Sequence, residues 1–531
     1  MKTKRAEIIV LAVLILLQSA LFAVFGINKT YIHMDEAYSF AIAGNEIYEI
    51  RDQKDFFNNW HDASYYEKYL SLEKEGNPSV LKIFENSDER DQPPLYFLLL
   101  RVAMLLSKGG FATWPALMIN AVIYVFTTLL SYLILKRIFR AQPHCNEKSA
   151  IVAFLASVTM ASITGAIYVM SYALAAFNII LLFYLHVRLI EEKKSKLKWY
   201  IFIGVAVFIG VLTNYDYLFF LAILFGCRIY RYLRKADFRS IAFYMLSVIV
   251  ALGLAMLAFP SALNDIISGY WFHGFAEKLN DKRQIVLNFA SFSWELNTYG
   301  FNLFLSIIGI FAGFVAYYRK CRPDRIRDVF MPDEETDDIL KSLCLSTIGY
   351  FIIVSVSAYW IELRYILPIC IPLFMIVFYY FQRLLASVFG ENRGNVLVCA
   401  AFVIMFILLP YTKKLTPPVL YADKADIVKQ VETELNVPTV YFLNSQNDRF
   451  LDDILLFTKL DNSYIAKDAE VSVDGVKAIL DGKDVSKGVT VFVNSGNDNE
   501  AIVEAVKTAT GLKRFEHIKR LNDCDVYYIS K

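Results

Sequence analysis

Two adjacent acids, Asp35 and Glu36, follow the first long apolar run of the chain, within the stretch YIHMDEAYSF. Acidic side chains at the end of a membrane helix are costly unless they face water, a cation or a protein cavity. The two side chains point in different directions on either a helix or a strand. One of them could therefore act as a base while the other binds a cation or a hydroxyl. A solvated loop is the alternative explanation for this pair taken alone.

A second stretch, DERDQPPLYFLLLR at 88–101, places polar side chains directly before an apolar run. Each of its two prolines locks its own φ angle and restricts the preceding residue, so the run has an extended entry. This entry holds Asp91 and Gln92 at the membrane surface, where Arg90 could meet an anionic lipid head group. Arg101 lies inside the run, and we expect it to face protein or water rather than lipid.

A third stretch, WIELRYILPICIPL, sets Glu362 and Arg364 at the start of a helix interrupted by proline. Arginine suits phosphate because its planar guanidinium makes paired, charge-assisted hydrogen bonds. An interfacial anchor or an internal Glu–Arg pair would explain the same residues. A fourth stretch, LTNYDYLFF, places Asn214 and Asp216 in a tight turn between two apolar runs.

The composition is that of an integral membrane protein with a soluble part attached. The 531 residues are 56% hydrophobic, include 42 Phe and 33 Tyr, and have a mean hydropathy of +0.41. Only 20% of the residues are charged, against about 25% in soluble domains. The net charge of +2 indicates no nucleic-acid partner. The seven cysteines lack metal-ligand spacing, which favours small buried hydrophobes over a metal or disulfide framework.

About 11–12 hydrophobic segments predict a polytopic α-helical membrane protein. They are the N-terminal run to residue 26 and the stretches 93–106, 114–135, 150–168, 171–189, 199–212, 215–227, 241–259, 298–318, 340–359, 365–380 and 396–411. Basic loops orient these segments by the positive-inside rule, and Lys2, Lys4 and Arg5 place the N-terminus inside. Segment 93–106 conflicts with this alternation by one crossing. It is short for a span and could be re-entrant or interfacial.

Two regions outside the membrane are expected, a long first external loop at 27–92 and a small soluble α/β domain at 419–531. Within the loop, 62–74 has the helical periodicity of a surface helix.

Residues 1–411 form the membrane domain, and 412–418 a linker. The soluble domain, which we expect to be external, has isolated glycines and no catalytic motif. Its pattern predicts strands at 439–443, 490–494 and 526–529 and helices at 426–435 and 500–508.

Four short motifs resemble, in kind and order, those of the GT-C membrane glycosyltransferases, in the branch that contains protein O-mannosyltransferases and the lipid A aminoarabinose transferase. Asp-Glu-Ala-Tyr at 35–38 follows the first helix, and Gln-Pro-Pro-Leu-Tyr at 92–96 opens the second segment. Thr-Asn-Tyr at 213–215 stands where relatives often have Thr-His-Tyr. Arg-Tyr-Ile-Leu-Pro at 364–368 opens a late helix. Each motif is short, but their order over residues 1–411 is more specific than any one of them.

The resemblance implies a GT-C-like enzyme that transfers a sugar from a polyprenyl-phosphate donor to a glycan, lipid or protein acceptor. Transfer would occur on the external face, with inversion. The resemblance implies Asp35 as the general base and Glu36 as its neighbour in the active site. It also implies that Arg364 binds the donor phosphate, with Arg90 assisting. The substrate pocket would include Tyr38, Asp91, Gln92, Asn214, Tyr215 and Tyr365.

The sequence departs from the family pattern in two places. Met170 and Ser171 replace an arginine that many relatives carry before a tyrosine, so a phosphate contact could be missing there. Arg101 stands where relatives often have histidine. Some relatives use a divalent metal at the first loop. The carboxylates of Asp35 and Glu36 would permit Mg or Mn without establishing it.

Two other functions fit parts of the sequence. A transporter or flippase of a lipid-linked glycan would carry charge deep in its helices, whereas the candidate groups here cluster in external loops and no internal repeat is evident. A non-catalytic scaffold of cell-envelope glycan assembly would use residues 419–531 for binding. High Lys, Asn, Ile and Tyr usage suggests a bacterial source, so we expect this multi-pass protein to lie in a bacterial plasma membrane.

Overall fold

The computed structural model describes residues 2–531 except 74–78, 109, 193–196, 269–280, 322–331, 359, 409–416, 422–423, 434–435, 445–448, 468–471 and 522. The linker expected at 412–418 therefore lies largely outside the described residues. The chain forms two compact units. Unit 1 comprises Met1–Gly26, Ser87–Tyr96 and Leu117–Pro418, and unit 2 comprises Ile27–Asn86, Phe97–Ala116 and Val419–Lys531.

The chain is mainly α-helical. Its helices are α1 (Lys2–Ile27), α2 (Met34–Gly44), α3 (Ala63–Tyr69), α4 (Val80–Glu89), α5 (Leu95–Leu106), α6 (Trp114–Ile138), α7 (Cys145–Ser157), α8 (Met160–Ile167), α9 (Tyr172–Glu191), α10 (Leu197–Val211), α11 (Tyr217–Arg234), α12 (Phe238–Ala258), α13 (Ser261–Ser268), α14 (Lys282–Glu295), α15 (Phe304–Cys321), α16 (Glu334–Ser357), α17 (Cys370–Phe389), α18 (Glu391–Leu408), α19 (Ala425–Thr433), α20 (Ile454–Phe457), α21 (Val473–Leu480) and α22 (Asn499–Thr510). The strands are β1 (Trp60–His61), β2 (Thr439–Leu443), β3 (Ser463–Lys467), β4 (Val489–Asn494), β5 (Arg514–Leu521) and β6 (Cys524–Ser530).

The long apolar helices confirm a polytopic helical membrane protein. Within the described part of the chain, six are long and apolar enough to cross a membrane: Glu7–Ile27, Trp114–Ile138, Tyr172–Glu191, Phe238–Ala258, Glu334–Ser357 and Leu363–Phe389. Two bent pairs, α7 with α8 and α14 with α15, would bring the number to eight if each pair is one span. At 12 residues, α5 rises only about 18 Å. It is therefore too short to cross a hydrocarbon core of about 30 Å as a single helix.

The apolar segment expected at 150–168 is a broken helix. Helix α7 ends at Ser157, and α8 leaves it at an angle of 59°. The Thr159 side-chain oxygen accepts a hydrogen bond from the Ser162 backbone N–H at 3.2 Å and so caps the start of α8. Hydropathy alone does not reveal this break, because the capping threonine is flanked by apolar residues.

A six-stranded mixed sheet forms part of unit 2, with the strand order β1-β3-β2-β4-β6-β5. Strands β3, β2 and β4 run parallel, β6 is antiparallel to β4 and β5, and β1 is antiparallel to β3. The structure confirms the three predicted strands, and the two predicted helices appear as α19 and α22. Strand β1 comes from the loop at 27–92, where Trp60 pairs with Tyr464. Its two residues are too few to give a strand pattern in the sequence.

The helix expected at 62–74 is shorter than its periodicity suggested. Helix α3 begins after Asp62, whose carboxylate accepts from the Tyr65 N–H at 3.2 Å, and ends at Tyr69. Tyr66 is fully buried, and its hydroxyl lies 2.8 Å from the Ser463 hydroxyl. The aromatic side of this helix therefore packs inside unit 2 instead of lying on a membrane surface.

Candidate functional site

The Asp35–Glu36 pair begins helix α2 in unit 2. His33 is the N-cap residue, and its Nδ1 accepts a hydrogen bond from the Asp35 N–H at 3.2 Å. In return, Glu36 Oε2 accepts from the His33 N–H at 2.9 Å. This reciprocal capping explains why a helix begins at these polar residues. Carboxylates in the first turn also complement the positive end of the helix dipole.

Glu36 is fully buried and forms an ion pair with Lys29, whose side chain is only 3% exposed. Burial lowers the pKa of the Lys29 ammonium, and the attraction of Glu36 acts in the opposite direction. Glu36 thus balances a buried cation and caps the helix. Its predicted part in the active site remains a prediction.

Asp35 occupies a different environment from its neighbour. Its side chain is 16% exposed, and its Oδ2 lies 3.4 Å from Nδ1 of His33. The backbone of Asp35 is fixed by the cap, while its carboxyl group keeps access to solvent. Adjacent carboxyl groups in unlike surroundings can take different chemical roles. Asp35 is therefore the better placed of the two for proton transfer.

A second acidic doublet supports the start of α2 within unit 2. Asp452 Oδ1 accepts from the Met34 N–H at 2.8 Å, and the Tyr31 hydroxyl donates to Asp453 Oδ1 at 2.6 Å. The ammonium of Lys424 lies 4.0 Å from the centroid of the Tyr31 ring. Burial raises the pKa of Asp453 to about 7. This doublet was not predicted, because Tyr31 and its acceptor are 422 positions apart, although LDDIL is itself an unusual acidic pair in an apolar setting.

Tyr38 and Arg101, two further candidate residues of the sequence, each have a hydrogen-bond partner inside unit 2. The Tyr38 hydroxyl donates to a carboxylate oxygen of Glu49 at 2.9 Å. Arg101 donates from Nη1 to the carbonyl of Ala43 at 3.1 Å. Arg101 therefore faces protein, as its position in an apolar run predicted.

The Gln-Pro-Pro and Thr-Asn-Tyr motifs lie together in unit 1. The Leu95 N–H, directly after the two prolines, donates to the Leu212 carbonyl at 3.0 Å. Asp91 has a φ angle of 53°, and the Gln92 N–H donates to the Ser87 carbonyl at 2.9 Å. The turn before the prolines is thus a defined structure that sets the direction of both polar side chains.

The Thr-Asn-Tyr turn contacts an acid that lies outside all four sequence motifs. The Tyr215 hydroxyl donates to Asp265 Oδ2 at 2.7 Å. Burial, with a contribution from nearby Asp91, raises the pKa of Asp265. The Asn214 side-chain oxygen accepts from the Asp216 N–H at 2.8 Å and closes the turn. Of these predicted pocket residues, the structure therefore places Asp91 and Tyr215 around one carboxyl group.

Arg364 is engaged by an acid of its own segment in unit 1. Its Nε lies 2.9 Å from Glu362 Oε2, and its Nη2 donates to Oε1 at 3.2 Å. A third nitrogen donates to the Tyr168 hydroxyl at 3.3 Å, and the guanidinium carbon lies 5.3 Å from the Tyr365 ring centroid. The internal Glu–Arg pair considered from the sequence is therefore present. A phosphate would have to compete with Glu362 for this guanidinium.

The remaining phosphate-related positions differ in exposure. Arg90 is half-buried. Met170 and Ser171 are 5% and 6% exposed and lie in the break between α8 and α9. The two residues that replace the family arginine thus pack into the interior of unit 1.

No metal site is evident in the described ranges, since no three His, Cys, Asp or Glu side chains there are arranged to hold an ion. Lys29 already neutralises Glu36. A divalent ion remains a prediction, and the reaction proposed below does not use one.

Comparison with known proteins supports the class that the motifs indicated. Residues 91–259 match the family described as dolichyl-phosphate-mannose-protein mannosyltransferase. This region contains the Gln-Pro-Pro and Thr-Asn-Tyr motifs whose backbones are hydrogen-bonded in unit 1. The match confirms the resemblance of this polytopic chain to the GT-C membrane glycosyltransferases. No curated protein matches the sequence at a significant level.

Two kinds of solved structure are similar to the chain over most of its length. ArnT from Cupriavidus metallidurans, bound to undecaprenyl phosphate, is 11% identical, with 97% of each chain covered and a TM-score of 0.46. An oligosaccharyltransferase from Archaeoglobus fulgidus, in complex with Zn and sulfate, is 12% identical. That comparison covers 94% of this chain and 70% of the other, with a TM-score of 0.42.

Proposed function

We propose that this protein is a membrane glycosyltransferase that moves a sugar from a polyprenyl-phosphate-linked donor to an acceptor hydroxyl, with inversion at the sugar carbon. The observation that carries the proposal is the match of residues 91–259 to protein mannosyltransferases that use a lipid-phosphate sugar. The placement of Asp35 at a capped helix start supports it. So does the absence of a glycine-rich nucleotide cradle from the sequence, since a lipid-linked donor needs none.

In this proposal, Asp35 is the general base. The acceptor hydroxyl gives its proton to the Asp35 carboxylate while its oxygen forms a bond to the anomeric carbon. The bond between that carbon and the phosphate oxygen breaks, and its electron pair leaves with the polyprenyl phosphate. A single displacement of this kind inverts the configuration of the sugar carbon.

The departing phosphate requires positive charge that is fixed in advance. Arg364 is the proposed ligand, with Arg90 assisting. Glu362 holds the guanidinium of Arg364 in one orientation through two contacts. A guanidinium suits a phosphate as well as a carboxylate, so donor binding would exchange one partner for the other.

We place the reaction on the external face of a bacterial plasma membrane, with a glycan, lipid or protein as acceptor. This orientation follows from the basic loops of the sequence and the positive-inside rule. Labelling of single introduced cysteines at 62 and 498 by a membrane-impermeant reagent tests it. Both positions are exposed, and we expect both to react in intact cells.

The test of function is sugar transfer by the purified protein in lipid, with polyprenyl-phosphate mannose, glucose and galactose as donors. We expect wild-type protein to release polyprenyl phosphate and Asp35→Asn to lose at least about a hundredfold of this rate, since removal of a general base typically costs that much. Asp62→Asn is the matched control, because Asp62 is also an acid at a helix start of unit 2. Equal rates for wild type and Asp35→Asn would remove Asp35 as the base.

A further inference from the structure

Asp216 is a buried acid that its own local structure does not use. It precedes helix α11, where an aspartate usually accepts a hydrogen bond from a backbone N–H of the first turn. Its φ and ψ of −61° and −23° are helical, and its side chain makes no capping bond. The Asn214 side chain closes the turn instead. The carboxyl group of Asp216 is therefore not required to start the helix.

The carboxyl group of Asp216 also lacks a partner from the rest of the described chain. The residue is 4% exposed, yet no N–H or hydroxyl of the described residues donates to its carboxyl oxygens, and no Lys or Arg pairs with it. Burial alone raises its pKa to about 7. A buried polar group left without a hydrogen bond is costly, and such groups are rare unless a ligand or water completes them.

The surroundings of Asp216 connect it to the segment that carries Arg364, within unit 1. Asp216 lies within electrostatic range of Tyr350 on helix α16. The Tyr350 hydroxyl in turn donates to the carbonyl of Tyr365 at 3.0 Å. The charge of Asp216 thus acts on the residue whose hydroxyl is hydrogen-bonded to the backbone of the proposed phosphate-binding segment.

We propose that Asp216 is a sugar-binding residue whose carboxyl group accepts a hydrogen bond from a hydroxyl of the transferred sugar. This inference rests on the proposed function and extends it to the sugar. The bound hydroxyl supplies the hydrogen-bond donor that the folded chain does not provide. Burying this acid costs free energy, and the hydrogen bond from the sugar hydroxyl offsets that cost when the donor binds.

The test compares Asp216→Asn with Asp237→Ala. Asp237 is the N-cap of α12 and does accept from the Ser240 N–H, at 3.1 Å, so its loss should lower the melting temperature and leave the donor KM unchanged. Asp216→Asn should keep or raise the melting temperature, because it removes a buried charge without removing a cap. Its KM for the polyprenyl-phosphate sugar that wild type uses should rise about tenfold, as expected for loss of a charge-assisted hydrogen bond. Its affinity for sugar-free polyprenyl phosphate should not change.

Several results would overturn the sugar-binding role of Asp216. These are an unchanged KM, a loss confined to kcat, weaker binding of sugar-free polyprenyl phosphate, or a fall in melting temperature as large as that of Asp237→Ala. The last would mean that the carboxyl group is structural. A wild-type protein that transfers no sugar would instead refute the proposed function, and the melting temperatures would still decide whether Asp216 stabilises the fold.

Discussion

The buried pair of Lys29 and Glu36 gives a prediction that separates a structural acid from a catalytic one. Glu36→Gln removes the negative charge but keeps an acceptor for the His33 N–H, so the helix cap survives. The Lys29 side chain, 3% exposed, then loses its ion pair with Glu36. Removing one partner of a buried pair costs about 3–5 kcal/mol. We therefore expect Glu36→Gln to lower the free energy of unfolding by about this amount.

The pH dependence of the Glu36→Gln defect should identify its cause. Burial lowers the pKa of Lys29 below its unfolded value, so the unfolded state binds more protons over the interval between the two pKa values. The stability of the variant should then rise as the pH is raised from 7 towards 10. The assay is thermal unfolding of purified protein in detergent at pH 7 and pH 9. A second change, Lys29→Met, should restore most of the stability at pH 7.

Asp35→Asn is the control for this pair. Its side chain is 16% exposed, and its Oδ2 lies 3.4 Å from Nδ1 of the His33 ring. We expect its melting temperature to stay close to that of wild type while sugar transfer is lost. A Glu36→Gln variant as stable as wild type but unable to transfer sugar would refute the structural assignment of Glu36.

Three further predictions follow from single contacts. Glu362→Gln should strengthen binding of labelled polyprenyl phosphate several-fold, because it removes the carboxylate that competes for Arg364. Arg364→Ala should weaken this binding at least about tenfold. Weaker binding by Glu362→Gln together with stronger binding by Arg364→Ala would remove Arg364 as the phosphate ligand. The pKa of Asp453 is about 7 in the folded protein and 3.8 in the unfolded chain. The stability that Asp453 contributes is therefore complete below pH 4 and is lost as the pH rises to 7. Melting temperatures measured from pH 4 to 8 should show this fall in wild type and a flatter curve in Asp453→Asn. A Cβ at Gly44 would lie 2.7 Å from a backbone oxygen, so Gly44→Ala should lower the free energy of unfolding by about 1–3 kcal/mol in a thermal unfolding assay. Gly226→Ala is the control and should change it little, because nothing lies within 4 Å of a Cβ at that position.

The fold class was predictable because membrane helices and parallel strands leave local patterns. A membrane span needs about 20 apolar residues in a row, so the apolar runs of α1 and α12 can be recognised as spans from the sequence. Strand β2 has the predicted bounds, since a buried strand is a short apolar run between turns. Strand β5 was missed because it lies at the sheet edge, mostly exposed and rich in charge, where no apolar pattern is required.

Only those residues of the candidate site that belong to short contiguous motifs could be predicted from the sequence. Asp35, Arg364 and the Thr-Asn-Tyr turn could be found because residue type and order suggested them. Asp265, which binds Tyr215, lies 50 positions further along and outside any motif. Asp216 was noticed only as a turn residue, because the burial of a side chain and the absence of a hydrogen-bond partner cannot be known before the chain folds.

The sequence by itself determined that this is a polytopic membrane protein, where its apolar helices lie and which short motifs carry acids and arginines. These properties depend on hydrophobic run length and on side-chain type, both of which are local. Only the tertiary structure decided that Glu36 is neutralised by Lys29 while Asp35 stays accessible, and that Asp452 and Asp453 hold the start of α2. Two neighbouring carboxyl groups are chemically alike in the chain. Burial and the charges around each, set by residues distant in sequence, give them different roles.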